Sequence, residues 1–293
     1  MSLLNQRPEE EDEYAFSAKM DNVKNISLLL KAVNFKEIAT CFGTENGLKV
    51  TVEDSKCTQA NAFIQSDMFQ EYHLMDDTVT FQINLSVFVE CLNIFGSSHN
   101  PGSTTALKMC YKGYGHPVKV LLEEGGVITD CSIKTQEPSE IIDFGFNPSD
   151  VLNKIILRSE CLKEVFSEID GSSDMLELLM SPDPPYFRIT TVGQSVESQV
   201  EIPKDSEMIE SFQCTTVAIS RYKYSLIKPS MKSLAISSKV SIRTDERGLL
   251  CFQYMIKTED GYTCFVEYYV STLRLSENTA TYNSKCMHTH ISS

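Results

Sequence analysis

Four times along the chain, a stretch that alternates apolar and polar residues gives way to a segment of helical period, and further alternating stretches follow. In the first copy, Tyr14 to Met20 alternates with a period of two. Asn22 to Asn34 then sets Ile26, Leu29, Leu30 and Val33 on one face at about 100° per residue. In the second, "TVTFQI" precedes Asn84 to Gly96, whose apolar stripe is Leu85, Phe88, Leu92 and Phe95. Asn84 suits an N-cap there and Gly96 a stop. In the third, "VLNKIIL" precedes "SECLKEVFSEID", with Leu162, Val165, Phe166 and Ile169 toward a core. In the fourth, the strand-like "SFQCTTVAI" leads into "SRYKYSLIKPSMK", Ser220 to Lys232. Its spacing predicts a helix that ends near Pro229, because proline rarely continues one.

Such repetition constrains the chain to a pseudo-symmetric architecture. Many strands with four short helices predict an α+β class, with helices on one face of antiparallel sheets. The remaining strands are punctuated by turn signals. "KEIATCF" and "LKVTVED" flank a turn, "CTQANAFI" and "EYHLM" make a further pair, and "MLELLMS" and "PYFRITTV" flank "PDPP". "TALKMCY", "PVKVLLEE" and "VITDCSIK" turn at "GYG" and "EGG". "ESQVEI", "SLAISSKVSI", "GLLCFQYMIK" and "CFVEYYV" complete the second half.

Residues 135–149 follow neither period and carry two prolines around Ile141, Ile142, Phe144 and Phe146, which marks an interdomain connector. The expected organisation is an acidic disordered tail at 1–13, a domain at 14–134, the connector at 135–149, a second domain at 150–270 and a disordered tail at 271–293. A length of 293 residues suits two domains.

The formal net charge is -14, and five of the negative charges sit together in "EEEDE", Glu9 to Glu13. A chain this acidic is not expected to meet nucleic acid through a general basic exterior, so any positive surface must be local. The ten cysteines form no closely spaced pairs and sit mostly in apolar segments, which predicts reduced thiols rather than a disulfide frame or zinc site. No apolar run approaches the roughly 20 residues of a membrane span, and the N-terminus lacks a signal-peptide layout. No membrane association is expected.

Local positive charge does occur. Lys24 and Lys31, seven residues apart, share the polar side of the first helix, and the predicted fourth helix places Arg221 and Lys228 the same way. Lys163 and Lys223 are weaker candidates beside them. These stripes are either a solubilising surface or a set of long cations for sequence-independent phosphate contact. The second and third helices expose Ser86, Glu90 and Asn93, and Glu160, Lys163 and Glu164, so the basic surface is uneven.

Catalytic signals are weak. Asp76–Asp77, Glu123–Glu124 and Glu259–Asp260 are adjacent carboxylates, but neighbours on a strand point to opposite faces, whereas a two-metal nuclease needs them to converge. His73, His99 and His116 have no ligand spacing, and "HTH" at 288–290 lies in the tail. No phosphate-binding loop or nucleophile elbow occurs. No cofactor, metal or catalytic residue is assigned.

Taken together, these segments resemble DNA sliding clamps of the proliferating cell nuclear antigen type. "ISRYKYSLIK" is similar to that family's fourth helix and "FQYMIKTEDGYTCFVEYY" to its last hairpin. "NLSVFVECLNIFG" is similar to its second helix, with Glu90 and Asn93 where the homotrimeric clamp has lysines. "NAFIQSDMFQEY", "NIFGSS", "MCYKGYG", "LLEEGGVIT", "TQEP", "NKIIL", "KVSIRTDERG" and "FVEYY" resemble more closely the Rad-one subunit family of the checkpoint (nine-one-one) clamp. The likeness covers about residues 14–270.

It implies a nuclear, non-enzymatic subunit of a heterotrimeric ring. Two related subunits would complete the ring, a clamp-loader ATPase would open it, double-stranded DNA would thread it, and checkpoint and repair proteins would dock on it. The alternatives are a 3′–5′ exonuclease or a DNA-free scaffold. On this resemblance Lys24, Lys31, Lys163, Arg221, Lys223 and Lys228 face DNA. Edge strands near Val127, Ile128, Cys131 and Ile133, and near Val196, Val200 and Ile202, pair with neighbouring subunits. Ile141, Ile142, Phe144 and Phe146 either line a groove for partner peptides or pin the connector to the sheets.

Overall fold

The computed structural model describes residues 14–96, 104–169, 173–193 and 196–272. The expected tail at 1–13 and residues 273–293 lie outside them, as does His99. The chain divides into two compact units. One takes residues up to Val52, Asn61–Glu140 and Thr258–Cys264, and the other takes Glu53–Ala60, Ile141–Lys257 and the residues from Phe265 on.

In the first unit the order is β1 (Phe16–Met20), α1 (Lys24–Val33), β2 (Ile38–Thr44), β3 (Gly47–Asp54), β4 (Thr58–Gln65), β5 (Glu71–Leu74) and β6 (Thr78–Asn84). Then come α2 (Leu85–Leu92), β7 (Ala106–Tyr111), β8 (Val118–Glu124), β9 (Val127–Ile133) and β10 (Thr135–Gln136). The sheet orders are β5-β1-β7-β8-β9 and β10-β6-β2-β3-β4. The predicted pairing of "CTQANAFI" with "EYHLM" does not occur. β5 pairs with β1 instead, Phe16 opposite Leu74.

Ile26, Leu29, Leu30 and Val33 are all 0% exposed, as their spacing requires. Each such side chain contributes roughly 1.5–3 kcal/mol by leaving water. Asn84 caps α2 by accepting a hydrogen bond from the Val87 backbone N–H at 3.0 Å. Phe81 from β6 meets Tyr111 from β7 with ring centroids 4.7 Å apart, so the core lies between the two sheets.

The second unit runs β11 (Val151–Arg158), α3 (Ser159–Ser167), β12 (Met175–Met180), β13 (Phe187–Val192), β14 (Glu197–Ile202), β15 (Ile209–Cys214) and β16 (Ala218–Lys223). Then follow α4 (Tyr224–Ile227), a 3-10 turn (Lys228–Ser230), α5 (Met231–Ile236), β17 (Lys239–Asp245), β18 (Leu250–Lys257) and β19 (Thr263–Val270). The sheet orders are β14-β13-β12-β16 and β19-β18-β17-β11-β15.

Here the sequence reading needs three corrections. "SFQCTTVAI" is two strands' worth of chain, split between β15 and β16. Ser220 to Lys223 is strand rather than helix, and the helical path begins only at Tyr224. Pro229 does not end it: the chain passes through one tight turn and resumes as α5, so the start of "SLAISSKVSI" is helix. Proline is tolerated there because it stands in the first turn of a new helical segment, where its missing N–H leaves no bond unmade.

Buried phenols fix this unit. Tyr222, Tyr254 and Tyr268 are almost wholly buried, and their hydroxyls donate to Gly248 O at 2.8 Å, Ser230 Oγ at 3.0 Å and Leu226 O at 2.8 Å. A buried phenol needs such a partner; the Tyr254 and Tyr268 bonds tie the helical path to β18 and β19, and the Tyr222 bond ties β16 to the β17–β18 turn. Among the described residues, eight cysteines are free thiols.

Candidate nucleic-acid interface and assembly edges

In the first unit α1 packs beside α2. Lys24 and Lys31 are both exposed on the side away from the α1 core stripe. Lys31 Nζ donates to Asn93 Oδ1 at 2.7 Å, and Ser27 Oγ donates to the same oxygen at 3.2 Å. A neutral amide therefore orients the ammonium without cancelling its charge. Glu90 is exposed on α2.

In the second unit the exposed positions of the helical path are Ser225, Lys228, Lys232 and Ala235, spaced as one helical stripe. Lys232 thus joins Lys228, a residue the sequence reading omitted because it took the helix to end at Pro229. Lys163 is only half exposed, and its Nζ donates to Ser237 O at 3.2 Å, joining α3 to the end of α5. Glu160 and Glu164 are exposed on α3.

Arg221 and Lys223 do not belong to this stripe. The β12–β16 register sets Leu176 opposite Tyr222 and Glu177 opposite Arg221. Tyr222 is 0% exposed, so the alternation of the strand turns its neighbours Arg221 and Lys223 to the opposite face. There Arg221 Nε meets Glu177 Oε2 at 2.8 Å. The expected unopposed cation is an ion pair, because a strand period of two replaces the helical period on which the prediction rested.

The two expected assembly segments are edge strands. β9 ends one sheet of the first unit and β14 ends one sheet of the second. Val127 is 58% exposed and Val196, just before β14, is 53% exposed. Ile128, Cys131 and Val200 are half-buried. Ile133 and Ile202 turn inward and are buried in their own units.

Residues 141–147 of the connector are held against the second unit. Phe144 stacks on Tyr269 with centroids 5.9 Å apart, and Phe146 meets the same ring edge-on at 5.8 Å. The Arg243 guanidinium lies 5.5 Å over Phe146 and bonds Glu267 at 3.1 Å. Arg247 Nη2 donates to Phe144 O at 2.7 Å. The Ile142 N–H donates to Glu53 Oε1 at 2.9 Å, and Gln59 Nε2 donates to Ile142 O at 2.8 Å. Ile141, Ile142, Phe144 and Phe146 are all half-buried.

The carboxylate pairs are dispersed among structural tasks. Asp260 accepts from Asn25 Nδ2 at 2.6 Å, Glu123 and Glu124 end β8, and Asp76 and Asp77 are exposed beyond β5. Among the described residues no group of three or more His, Cys, Asp or Glu side chains is placed to hold a metal ion.

Residues 15–256 match the Rad1 family, described as repair protein Rad1/Rec1/Rad17. The chain is 57% identical over 270 residues to the cell cycle checkpoint protein RAD1 of Homo sapiens, covering 92% of this chain and 96% of that one. To the DNA repair protein Rad1 of Drosophila melanogaster it is 33% identical, covering 88% of this chain and 94% of that one. The DNA repair exonuclease REC1 of Mycosarcoma maydis is 24% identical, over 68% of this chain and 62% of that one. In three dimensions the fold resembles a chain of a PCNA2–PCNA3 complex from Sulfolobus tokodaii, with a TM-score of 0.69 at 18% identity, covering 88% of this chain and 99% of that one.

Proposed function

The chain belongs to the Rad1 family, and on that premise we propose that it is a non-enzymatic subunit of a DNA sliding clamp that serves DNA-damage checkpoint signalling and repair. The observation that carries this is the 57% identity to checkpoint RAD1 across 92% of the chain, joined to a fold like that of the PCNA2–PCNA3 chain. The clamp is a heterotrimer, completed by two related subunits and opened by a loader ATPase, and it works in the nucleus.

In this mechanism the exposed lysines of each unit's helix layer, Lys24 and Lys31 in the first and Lys228 and Lys232 in the second, touch DNA phosphates. Long, flexible ammonium groups make contacts that do not depend on base sequence. Such contacts retain a ring on DNA without fixing its position. β9 and β14 offer unpaired backbone N–H and C=O groups, which a neighbouring subunit's edge strand satisfies. Loaded, the clamp is a platform for checkpoint and repair proteins.

The 24% likeness to REC1 gives the exonuclease reading its one foothold. It is not favoured, because the candidate carboxylates are separated in the fold. Co-expression with the two related subunits, followed by native mass measurement, tests the assembly: one copy of each is expected, and a homo-oligomer or a lone monomer would reject it. Magnesium-dependent cleavage that survives rigorous purification and is abolished by a single Asp or Glu substitution would establish the enzyme instead.

A further inference from the structure

In the first unit, helix packing and sheet register bring two thiols together. Cys91 lies on the flank of the α2 apolar stripe, three residues after the buried Phe88 and one before the buried Leu92, and is itself half-buried. Cys131 lies in the edge strand β9, directly opposite Val120 of β8. Residues directly opposite one another point to the same side of a sheet. Val120 is 0% exposed, so Cys131 faces inward, while Asp130 and Ser132 on either side of it are exposed. α2 packs against β9, and there the Cys91 thiol donates a hydrogen bond to the Cys131 sulfur.

Both thiols are free and half-buried. Cys41, Cys110, Cys251 and Cys264 are instead shut into the core. A half-buried thiol beside a second one can be reached by a small reagent, and its neighbour can then displace the adduct. The Cys91 thiol is pushed up to about 11, by burial first and then by Cys131 and Glu90. It keeps its proton at neutral pH and directs it at Cys131. Cys131 is therefore the attacking sulfur and Cys91 the resolving one, because the thiolate is the nucleophile.

We infer that Cys91 and Cys131 form a redox-active dithiol whose substrates are low-molecular-weight disulfides of the oxidised-glutathione class. The Cys131 thiolate attacks one sulfur of the small disulfide. That S–S bond breaks, a bond from Cys131 to the attacked sulfur forms, and one small thiolate leaves and regains from water the proton that Cys131 gave up. Cys91 then attacks the Cys131 sulfur of the mixed disulfide. The second small thiolate leaves with the proton that Cys91 held, and a Cys91–Cys131 disulfide remains. Two protein thiols are oxidised and one small disulfide is reduced to two thiols. The product ties α2 to β9. Bonded sulfurs are about 2 Å apart, closer than hydrogen-bonded ones, so oxidation draws the middle of β9 toward α2 and works against pairing with a neighbour's strand. That last coupling rests on the proposed assembly through β9; the dithiol chemistry does not.

The test holds the reduced wild-type chain in oxidised glutathione at neutral pH, blocks remaining thiols with N-ethylmaleimide and digests without reduction. Mass spectrometry should find the Cys91–Cys131 linked peptide within one chain in most molecules, and dithiothreitol should reverse it. Cys91→Ser should trap glutathione on Cys131, whereas Cys131→Ser should take it up at Cys91 about tenfold more slowly. Absence of the linked peptide from wild type, or glutathione that persists on Cys131 beside an intact Cys91, would overturn the dithiol, and neither result depends on how a variant folds. Faster uptake at Cys91 than at Cys131 would overturn the assigned order of attack. Mixed with the two related subunits, the oxidised chain should be incorporated several-fold less than the reduced chain. Equal incorporation would overturn the coupling to the edge. Failure of the reduced chain to assemble would reject the assembly reading instead, with the linked peptide still the measure of the dithiol.

Discussion

Arg221 Nε lies 2.8 Å from Glu177 Oε2, across a register that sets the two residues directly opposite on β12 and β16. A paired guanidinium has little charge left for a phosphate. Lys228 and Lys232, on the helical path that follows, are exposed. Changing both to Glu should lower the magnitude of the salt slope of duplex binding by the assembled clamp by about 1.8, the value for two lost phosphate contacts. Arg221→Ala should leave the slope within measurement error. Equal losses from the two would remove the distinction.

Asn93 places the Lys31 ammonium without neutralising it. Asn93→Asp keeps the geometry and adds a charge of opposite sign. It should weaken DNA retention as Lys31→Ala does, with the fold intact by circular dichroism, while Asn93→Gln should have a smaller effect. Fluorescence anisotropy of a labelled duplex at several salt concentrations gives the comparison.

Phe144 and Tyr269 stack at 5.9 Å. In a double-mutant cycle with Phe144→Ala and Tyr269→Ala, the coupling energy should be about 0.5–1.5 kcal/mol beyond the separate losses of buried area. Phe144→Ala should also make residues 141–147 more open to proteolysis. A coupling near zero would mean that the ring contact does not hold the connector.

Edge strands fail selectively when proline removes an N–H. In β14, adjacent residues alternate between N–H groups aimed at β13 and N–H groups aimed outward. Proline at Ser198 and proline at Gln199, in separate variants, should divide accordingly. One should block subunit assembly with little loss of monomer stability, and the other should destabilise the sheet itself. If neither impairs assembly, β14 is not a pairing edge.

Burial pushes the thiols of Cys41 and Cys251 up to about 12. Unfolded thiols ionise near 8.5. Below that pH both states hold the proton and the groups contribute their full stability. Above it the unfolded chain loses protons that the folded chain keeps, so stability falls as pH rises toward 12. Urea midpoints should therefore decline steadily from pH 8.5 to 10.5. Cys41→Ala should be less stable at neutral pH yet show a shallower alkaline slope.

How much of this was legible beforehand varies by segment. Ile26, Leu29, Leu30 and Val33 announced the buried face of α1, and Asn84 announced the cap of α2, because both depend on residues within a few positions. β9 and β14 were recognised as edges through family resemblance, and the sheet orders place them there. Ser220–Lys223 was misread because "SRYKY" fits either period, and its own side chains do not choose. β12 chooses, by offering Glu177 to Arg221 and Leu176 to Tyr222.

Local pattern thus determined the repeated strand and helix plan, the apolar stripes and the family. Tertiary structure alone decided that Arg221 pairs with Glu177, that the helical path runs past Pro229, and that Phe144 and Phe146 lie on Tyr269. The physical reason is range. Periodicity and capping act through neighbours along the chain, whereas the partner that cancels a charge or covers a ring comes from a strand tens of residues away, and only folding brings the two together.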